Sequence, residues 1–443
     1  MTKRTMLTGS LIAALSSGAI AQTPSQPASQ TAAAQCRLDA TTYQAKRLSD
    51  LRTDRTPLTS ATTTPIITEA KRIARDCAAR IPTDGASAAE LTALSSLYLF
   101  ASDTVRAKNA VALVLAKPGL SDVERADAIV GAEQLAIATS DPFSGINPDA
   151  EHFVREVDEM SNAVLVQKVR AHQILLGRYE YADIDDGIRD HARKLLELSQ
   201  RALRSNALGM TTAQAGAPAV NAAYPVMVMA YSSLARAAGD FLHVDSALLI
   251  LDEAERALGG AFPEAHDALD GQRAMYKLVG TRATSIDGKW WINAKDGTSF
   301  MPGNDQVTLI QFTAHWCVPC KNSYPGMLRM AARYAGKPVE SIMATDLYGF
   351  IGDKAKLTQE QEVAEDRDYY VKDHGLPFKI AINPIFGRGN SLKTDNNRRY
   401  AVGGIPEILV VDAKGVIRAA VIGWDKGNEQ RLSALIDTIL TEK

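Results

Sequence analysis

The chain reads as two joined parts, an all-helical N-terminal domain built of helical hairpins and an α/β domain with a mixed sheet. Three observations carry this reading. From about residue 36 to 275 the sequence is rich in Ala and Leu, with apolar residues at helical spacing and few strand signals. From about 276 to 443 short β-branched runs alternate with helical stretches. The length of 443 residues, 46% of them hydrophobic, is ample for more than one packed core.

The first residues have the pattern of a secretory signal. Lys3 and Arg4 form a positive start, Met6 to Leu15 is apolar and short, and Ala19-Ile20-Ala21 offers a small-x-small cleavage site before Gln22. An uncleaved anchor is the alternative, but Thr8, Gly9 and Ser10 interrupt a run already too short to span a bilayer. Residues 1–21 are therefore expected to be a cleaved signal peptide, and the mature protein to be exported to the periplasm or an equivalent compartment. Residues 22–35 are small, polar and Pro-containing, which predicts a flexible N-terminus. A formal net charge of −2, with no Lys/Arg cluster interleaved with aromatics, argues against a nucleic-acid partner.

In the helical domain, apolar positions such as Leu91, Leu94 and Leu97, then Ala110 and Leu113, then Val164 and Val169, recur at helix period. Pro82-Thr83-Asp84-Gly85, Lys117-Pro118-Gly119, Asn147-Pro148 and Gly209 through Pro218 break the pattern, predicting about eight to twelve helices. Ser121-Asp122-Val123-Glu124 has the form of a capping box. Tyr231 to Asp240 followed by Ala247 to Leu258 resembles one tetratricopeptide unit, with a turn at Gly239-Asp240. That resemblance implies a concave surface for a protein partner, and an irregular bundle is the equal alternative. Cys36 and Cys77 either pair in an oxidising compartment or remain two buried thiols. Asp183, Asp185, Asp186 and Gly187 lack the Glu that closes a calcium loop and read as a polar loop.

In the second domain Trp290 to Asn293 and Thr298 to Phe300, around Asp296-Gly297, read as a β-hairpin. Next come a strand over 307–313, a helix over 318–334, a strand over 339–345, a helix over 358–373 and a strand over 378–382. Strands over 407–412 and 416–422 form a hairpin about Ala413-Lys414-Gly415, and a helix over 428–441 closes the chain. The run Glu360 to Asp368 reads as a solvated helix face, and Gly387-Arg388-Gly389-Asn390 as an exposed turn.

Trp316-Cys317-Val318-Pro319-Cys320 lies between the first of these strands and its helix. That order puts Cys317 at a helix N-terminus, where free N–H groups and the helix dipole favour a thiolate. Cys320 lies one turn further in and is expected to be more buried. A zinc site would need two further ligands, and the other cysteines lie far away in the helical domain, so redox exchange is the favoured chemistry, with no metal and no cofactor.

These residues resemble the thioredoxin superfamily, and within it the exported TlpA/ResA-type thiol–disulfide oxidoreductases, over about residues 278–443. The matching features are Ala314-His315-Trp316-Cys317-Val318-Pro319-Cys320, Pro325 in the following helix, Gly404-Ile405-Pro406 before a strand, and the long insertion from Asp346 to Arg399. The resemblance implies that Cys317 is the nucleophile and Cys320 the resolving thiol. It also implies that Trp316 shields the disulfide, that Pro319 sets the helix start, that Pro406 is cis, and that the Ile405 backbone pairs with an extended substrate segment. Two positions depart from the family pattern: Gln311 and Ser323 stand where acidic residues are usual. The general base is thereby left unassigned, with His315, expected to face solvent, and Asp346 as weak candidates.

The reading is an exported oxidoreductase exchanging disulfides with envelope proteins, in the reductant direction, and recycled by a separate reductase. The alternative is a helical scaffold that binds a protein partner and carries an accessory redox module. A thiol peroxidase is disfavoured by the second cysteine at position 320.

Overall fold

The computed structural model describes residues 31–53, 60–140, 146–182, 184–212, 219–239, 244–262, 264–385, 394–424 and 426–442. The signal-like segment, Asp183, Asp240 and the Gly387–Asn390 turn lie outside the described residues. The chain divides into two compact units, one ending at Leu234 and one running from Ala235.

The first unit is helical. Its helices are α1 (Ala32–Thr53), α2 (Ser60–Ala78), α3 (Ala88–Phe100), α4 (Thr104–Leu115), α5 (Asp122–Ala138), α6 (Pro148–Glu159), α7 (Leu165–Ala182) and α8 (Asp185–Ser205). Successive members pack as pairs, α1 with α2, α3 with α4, α5 with α6 and α7 with α8. Side chains start these helices where the pattern placed breakers. Ser121 and Glu124 complete the reciprocal capping box of α5, and Asn147 with Pro148 opens α6. Helix α1 starts at Ala32, so the expected flexible segment stops short of 35: Ala33 is fully buried and joins the core. Asp185 and Asp186 are not in a loop but form the first turn of α8, where carboxylates complement the exposed N–H groups.

Small residues let the helices approach closely. Ala33, Ala40, Ala74 and Ala78 are buried with Leu91, Leu94 and Leu97 in one cluster, and Ile129, Val154, Val157 and Leu175 form another. The Cys36–Cys77 disulfide joins α1 to α2 with a Cα–Cα distance of 5.9 Å. A feature the helical pattern did not announce is a short antiparallel pair, β1 (Met210–Thr212) with β2 (Ala219–Asn221). Helix α9 (Ala223–Ala238) follows, its N-terminal part belonging to this unit.

In the second unit, α10 (Val244–Leu258) packs on α11 (Glu264–Tyr276), and the Tyr276 hydroxyl donates to the carbonyl of Ala235. The strands are β3 (Ile286–Gly288), β4 (Trp290–Ile292), β5 (Thr298–Phe300), β6 (Val307–Phe312), β7 (Val339–Leu347), β8 (Phe350–Ile351), β9 (Lys354–Ala355), β10 (Lys379–Pro384), β11 (Glu407–Val411) and β12 (Ile417–Ile422). The helices are α12 (Val318–Arg333), α13 (Gln359–Arg367, continuing as a π-helical segment to Asp373), α14 (Asp395–Arg399) and α15 (Lys426–Thr441).

The main sheet has the order β12-β11-β6-β7-β10-β4. Its centre, β6, β7 and β10, is parallel, and β11, β12 and β4 run antiparallel to their neighbours. Every residue of β6 is buried, as a central strand covered on both faces requires. One expected pairing is corrected. The segments around Asp296-Gly297 do not form a hairpin with each other: β4 adds to the edge of the main sheet on β10, and β5 pairs with β3. Side-chain bonds, in place of a backbone ladder, join the two segments. The Asp296 carboxylate accepts from the Trp291 N–H, and the Trp291 indole N–H donates to the Thr298 carbonyl across a close approach to Gly288, where a Cβ would collide with the indole. Among the described residues no helix is long and apolar enough to cross a membrane.

The disulfide in the first unit closes a loop of sequence separation 41. Replacing both Cys36 and Cys77 by Ser is expected to cost about 4 kcal/mol by loop-closure entropy. The check is a urea titration of the full chain followed by far-UV circular dichroism. An unchanged midpoint would show that the link contributes nothing to the folded unit.

Candidate active site

The site starts with β6, whose buried run delivers Thr313 to Trp316 to the end of the sheet, where the Thr313 N–H bonds the Ala344 carbonyl. The chain then turns into α12. Cys317 is the N-cap of that helix in extended conformation, and its Sγ accepts a hydrogen bond of 3.1 Å from the Cys320 N–H. The sulfur therefore occupies the place where a helix offers unpaired donors to negative charge. Cys317 and Cys320 are joined as a disulfide, with Cα atoms 5.2 Å apart. Cys320 has no exposure and Cys317 retains 3%, so the N-cap sulfur is the one an incoming group meets first.

Around the pair, Trp316 is 46% exposed and Val318 63% exposed, an apolar rim on the surface. The Trp316 ring stands edge-on to Tyr348 at 5.4 Å between centroids. Pro319 lies in the first turn of α12, where its missing N–H leaves no intrahelical bond unmade. Pro325 sits inside the same helix. The Ile405–Pro406 peptide is cis, and the Ile405 carbonyl oxygen lies 3.6 Å from Cys317 Sγ.

Beneath Cys320 the two positions that depart from the family pattern meet. The Gln311 amide donates to Ser323 Oγ at 2.8 Å, and Ser323 Oγ donates to the Cys320 carbonyl at 2.6 Å. Both side chains are fully buried. This neutral link ties the central strand to the helix at the resolving cysteine. Two positions, read separately as missing acids, are partners.

The weak candidates for the general base fall elsewhere. Asp346 is buried, and burial raises its carboxyl to about 6 despite hydrogen bonds from Thr394 and Asn397. In register, Gln311 lies beside Met343, so Asp346 projects from the opposite face of β7 to the one that carries α12. His315 is not in solvent but buried, edge-on to Phe350 at 5.1 Å and to Tyr348 at 5.6 Å. The insertion after β7 folds over it.

That insertion also corrects the reading of Glu360 to Asp368 as a solvated face. Glu362 and Asp366 are buried together on the inner side of α13 with Val363. The Glu362 carboxylate accepts from the Tyr348 and Gly349 N–H groups, both at 2.6 Å, and lies 3.7 Å from His315 Nε2. Neither Asp366 oxygen has a hydrogen-bond partner among the described residues, and burial, reinforced by the Glu362 charge, raises its carboxyl to about 8. Tyr324, one turn after Cys320, is pushed up to about 12 by burial, and its hydroxyl contacts Thr313 Oγ1 at 3.2 Å. The i,i+4 spacing of the two acids was the available signal for an inner face.

The fold of the second unit from β3 onward is thioredoxin-like. The second unit carries a redox-capable Cys-x-x-Cys disulfide at a helix start beside a cis-proline. No family model matches this chain, and no curated protein sequence matches it. Among solved structures it is similar to a thioredoxin-like superfamily protein, at 20% identity and TM-score 0.30, over 37% of this chain and 97% of that one. A thiol-disulfide isomerase from Corynebacterium glutamicum matches at 19% identity and TM-score 0.30, over 37% and 98% of the respective chains. The thioredoxin domain of a thiol-disulfide oxidoreductase from Bacteroides vulgatus matches at 15% identity and TM-score 0.28, over 37% and 98%. Among the described residues no group of His, Cys, Asp and Glu is arranged to hold a metal ion.

Asp366 has a pH consequence. Its folded proton affinity lies above that of an unfolded aspartate, so between about pH 4 and the folded value of about 8 the native chain keeps a proton that the unfolded chain has released. Its contribution to stability therefore falls as pH rises through that window. Asp366→Asn, which removes the titration and keeps the shape, is expected to flatten the fall. Urea midpoints of both proteins at pH 5 and pH 8 check this, and equal losses in the two would assign the pH dependence to other groups.

Proposed function

We propose that this chain is an exported thiol–disulfide oxidoreductase that reduces disulfides of envelope proteins. The observation that carries the reading is Cys317 Sγ at the N-cap of α12, hydrogen-bonded by the Cys320 N–H and facing the Ile405 carbonyl beside an exposed Trp316 and Val318. In the reduced enzyme that N–H stabilises a Cys317 thiolate. The thiolate attacks one sulfur of a partner's disulfide, a Cys317–partner bond forms, and the partner's other sulfur leaves as a thiolate. Cys320, deprotonated, then attacks Cys317 Sγ, releases the second partner sulfur and closes the Cys317–Cys320 disulfide. Two electrons pass from enzyme to partner, and a separate reductase returns them.

The partner is an extended segment carrying a disulfide, lying against the Trp316 and Val318 rim with its backbone along the Ile405–Pro406 loop. Pro319 and Pro406 shape the two walls of that approach. The reductant direction and the TlpA/ResA-type assignment rest on the sequence resemblance, and export rests on the pattern of residues 1–21.

Cys320→Ser leaves the attacking sulfur and removes the resolving one. Expressed in the compartment where the protein resides, it is expected to accumulate mixed disulfides with other proteins. They appear as reducible adducts on non-reducing gels and vanish when Cys317 is also replaced. Absence of Cys317-dependent adducts would rule out exchange with protein partners.

A further inference from the structure

The insertion after β7 does more than cover His315: it reaches the exposed edge of the site. The chain leaves β7 at Leu347 and turns at Tyr348 and Gly349 into the short β8. Glu362 fixes that turn. Thr358 and Gln361 complete the capping box that starts α13, and the next residue, Glu362, is buried on its inner side. Each of its two oxygens takes one of two successive backbone N–H groups, Tyr348 and Gly349, at 2.6 Å. Two adjacent donors need two acceptor oxygens on one group; a carboxylate has both and an amide has one. The Leu357 N–H closes the loop on the Gly349 carbonyl at 3.0 Å.

This clamp decides where the Tyr348 ring stands. Of the two residues that precede Cys317, His315 is buried and Trp316 is largely open to the surface. The half-buried Tyr348 ring meets both edge-on, His315 at 5.6 Å with an interplanar angle of 77°, and Trp316 at 5.4 Å with 84°. Such edge contacts are the favoured geometry for aromatic pairs. Phe350, two residues on, stands edge-on to His315 at 5.1 Å and steadies the same corner. Among the described residues, Tyr348 is the aromatic ring in contact with Trp316. The indole adjoins Cys317, so its attitude shapes the wall that an incoming chain meets.

We propose that Tyr348 is a positioning residue for Trp316, and that through it the Glu362 clamp sets the preference of the site for disulfides carried on a polypeptide over small ones. The proposal rests on the protein-disulfide exchange assigned to Cys317 above. A polypeptide segment lies against the indole, whereas a small disulfide reaches Cys317 Sγ without it. An indole already held in one attitude takes up the segment without first losing its own rotamer freedom. Released from Tyr348, it samples several rotamers, and the loss falls on polypeptide binding. Attack by sulfur is spared, because the bond from the Cys320 N–H to Cys317 Sγ involves neither ring.

The test uses the full-length protein, reduced and freed of reductant. Insulin is the polypeptide disulfide and bis(2-hydroxyethyl) disulfide the small one, and closure of Cys317–Cys320 is followed by quenched alkylation and mass measurement. Tyr348→Ala is expected to raise the half-saturating insulin concentration roughly three- to tenfold, the range a lost aromatic pair allows. The limiting rate and the rate with the small disulfide are expected to stay as in wild type. Tyr348→Phe, which keeps the ring, restores wild-type saturation, and Glu362→Gln moves in the direction of Tyr348→Ala. Tyr348→Leu, which keeps apolar bulk without a ring, runs beside them so that a collapsed Ala variant does not decide the outcome. In ¹⁹F spectra of the oxidised protein labelled with 5-fluorotryptophan, the Trp316 signal is assigned by its loss in Trp316→Phe. It is expected to move in Tyr348→Ala and Tyr348→Leu and to stay in Tyr348→Phe. A Trp316 signal that stays in every variant overturns the positioning role. Equal losses toward both disulfides, or none toward insulin, overturn the preference. A wild type that insulin does not oxidise overturns the protein-exchange reading itself, and this proposal with it.

Discussion

One hydrogen bond organises the second unit: the Cys320 N–H donated to Cys317 Sγ at the start of α12. It works only if the first turn of that helix is held still against the sheet. The Gln311–Ser323 link fastens the helix to β6 at its buried side. Further along, Gly326 admits the indole of Trp424, which a Cβ there would exclude. The far end is tied to α15 by the Tyr334 hydroxyl on the Ser433 carbonyl at 2.9 Å and by Arg329 in a two-pronged pair with Glu429. The exposed ion pair adds little energy, whereas the buried contacts fix orientation.

The electrostatic setting of the sulfurs differs from what the family pattern implies. No acid stands at 311 or 323; the Gln311 amide donates to Ser323, which donates to the Cys320 carbonyl, and Gln311 Oε1 has no partner among the described residues. Acidic groups do occur in the unit, but the sheet and the insertion separate their roles. Asp346 faces away from α12, Glu362 clamps the turn at Tyr348 and Gly349, and Asp366 is kept largely neutral by burial. The hydrogen bond at Cys317 Sγ comes from backbone, which needs no titrating partner.

The order of the main strands and helices from β6 to α15 was legible from period, buried β-branched runs for the central strands and apolar positions three and four apart for the helices, whereas the short β8, β9 and α14 within the insertion were not. Pairings were less legible. β4 and β5 have the local marks of a hairpin, yet β4 pairs with β10 and β5 with β3. His315 and the Glu362–Asp366 pair were read as solvated because polarity was taken as exposure. The insertion covers His315, which no local pattern announces, and turns the i,i+4 acids of its own helix inward. In the helical unit, His172 and His191 are separated by 19 positions and look unrelated until two helices bring their rings together.

The order of residues alone determined the chemistry of the site. Cys-Val-Pro-Cys between a strand and a helix places a sulfur at the helix start through local geometry that reaches over only a few residues. Tertiary structure decided which polar side chains share the interior with that sulfur, and therefore which of them carry charge. Burial and partner choice arise from contacts between segments far apart in the chain, and a carboxyl or imidazole acquires its protonation from those contacts rather than from its neighbours in sequence.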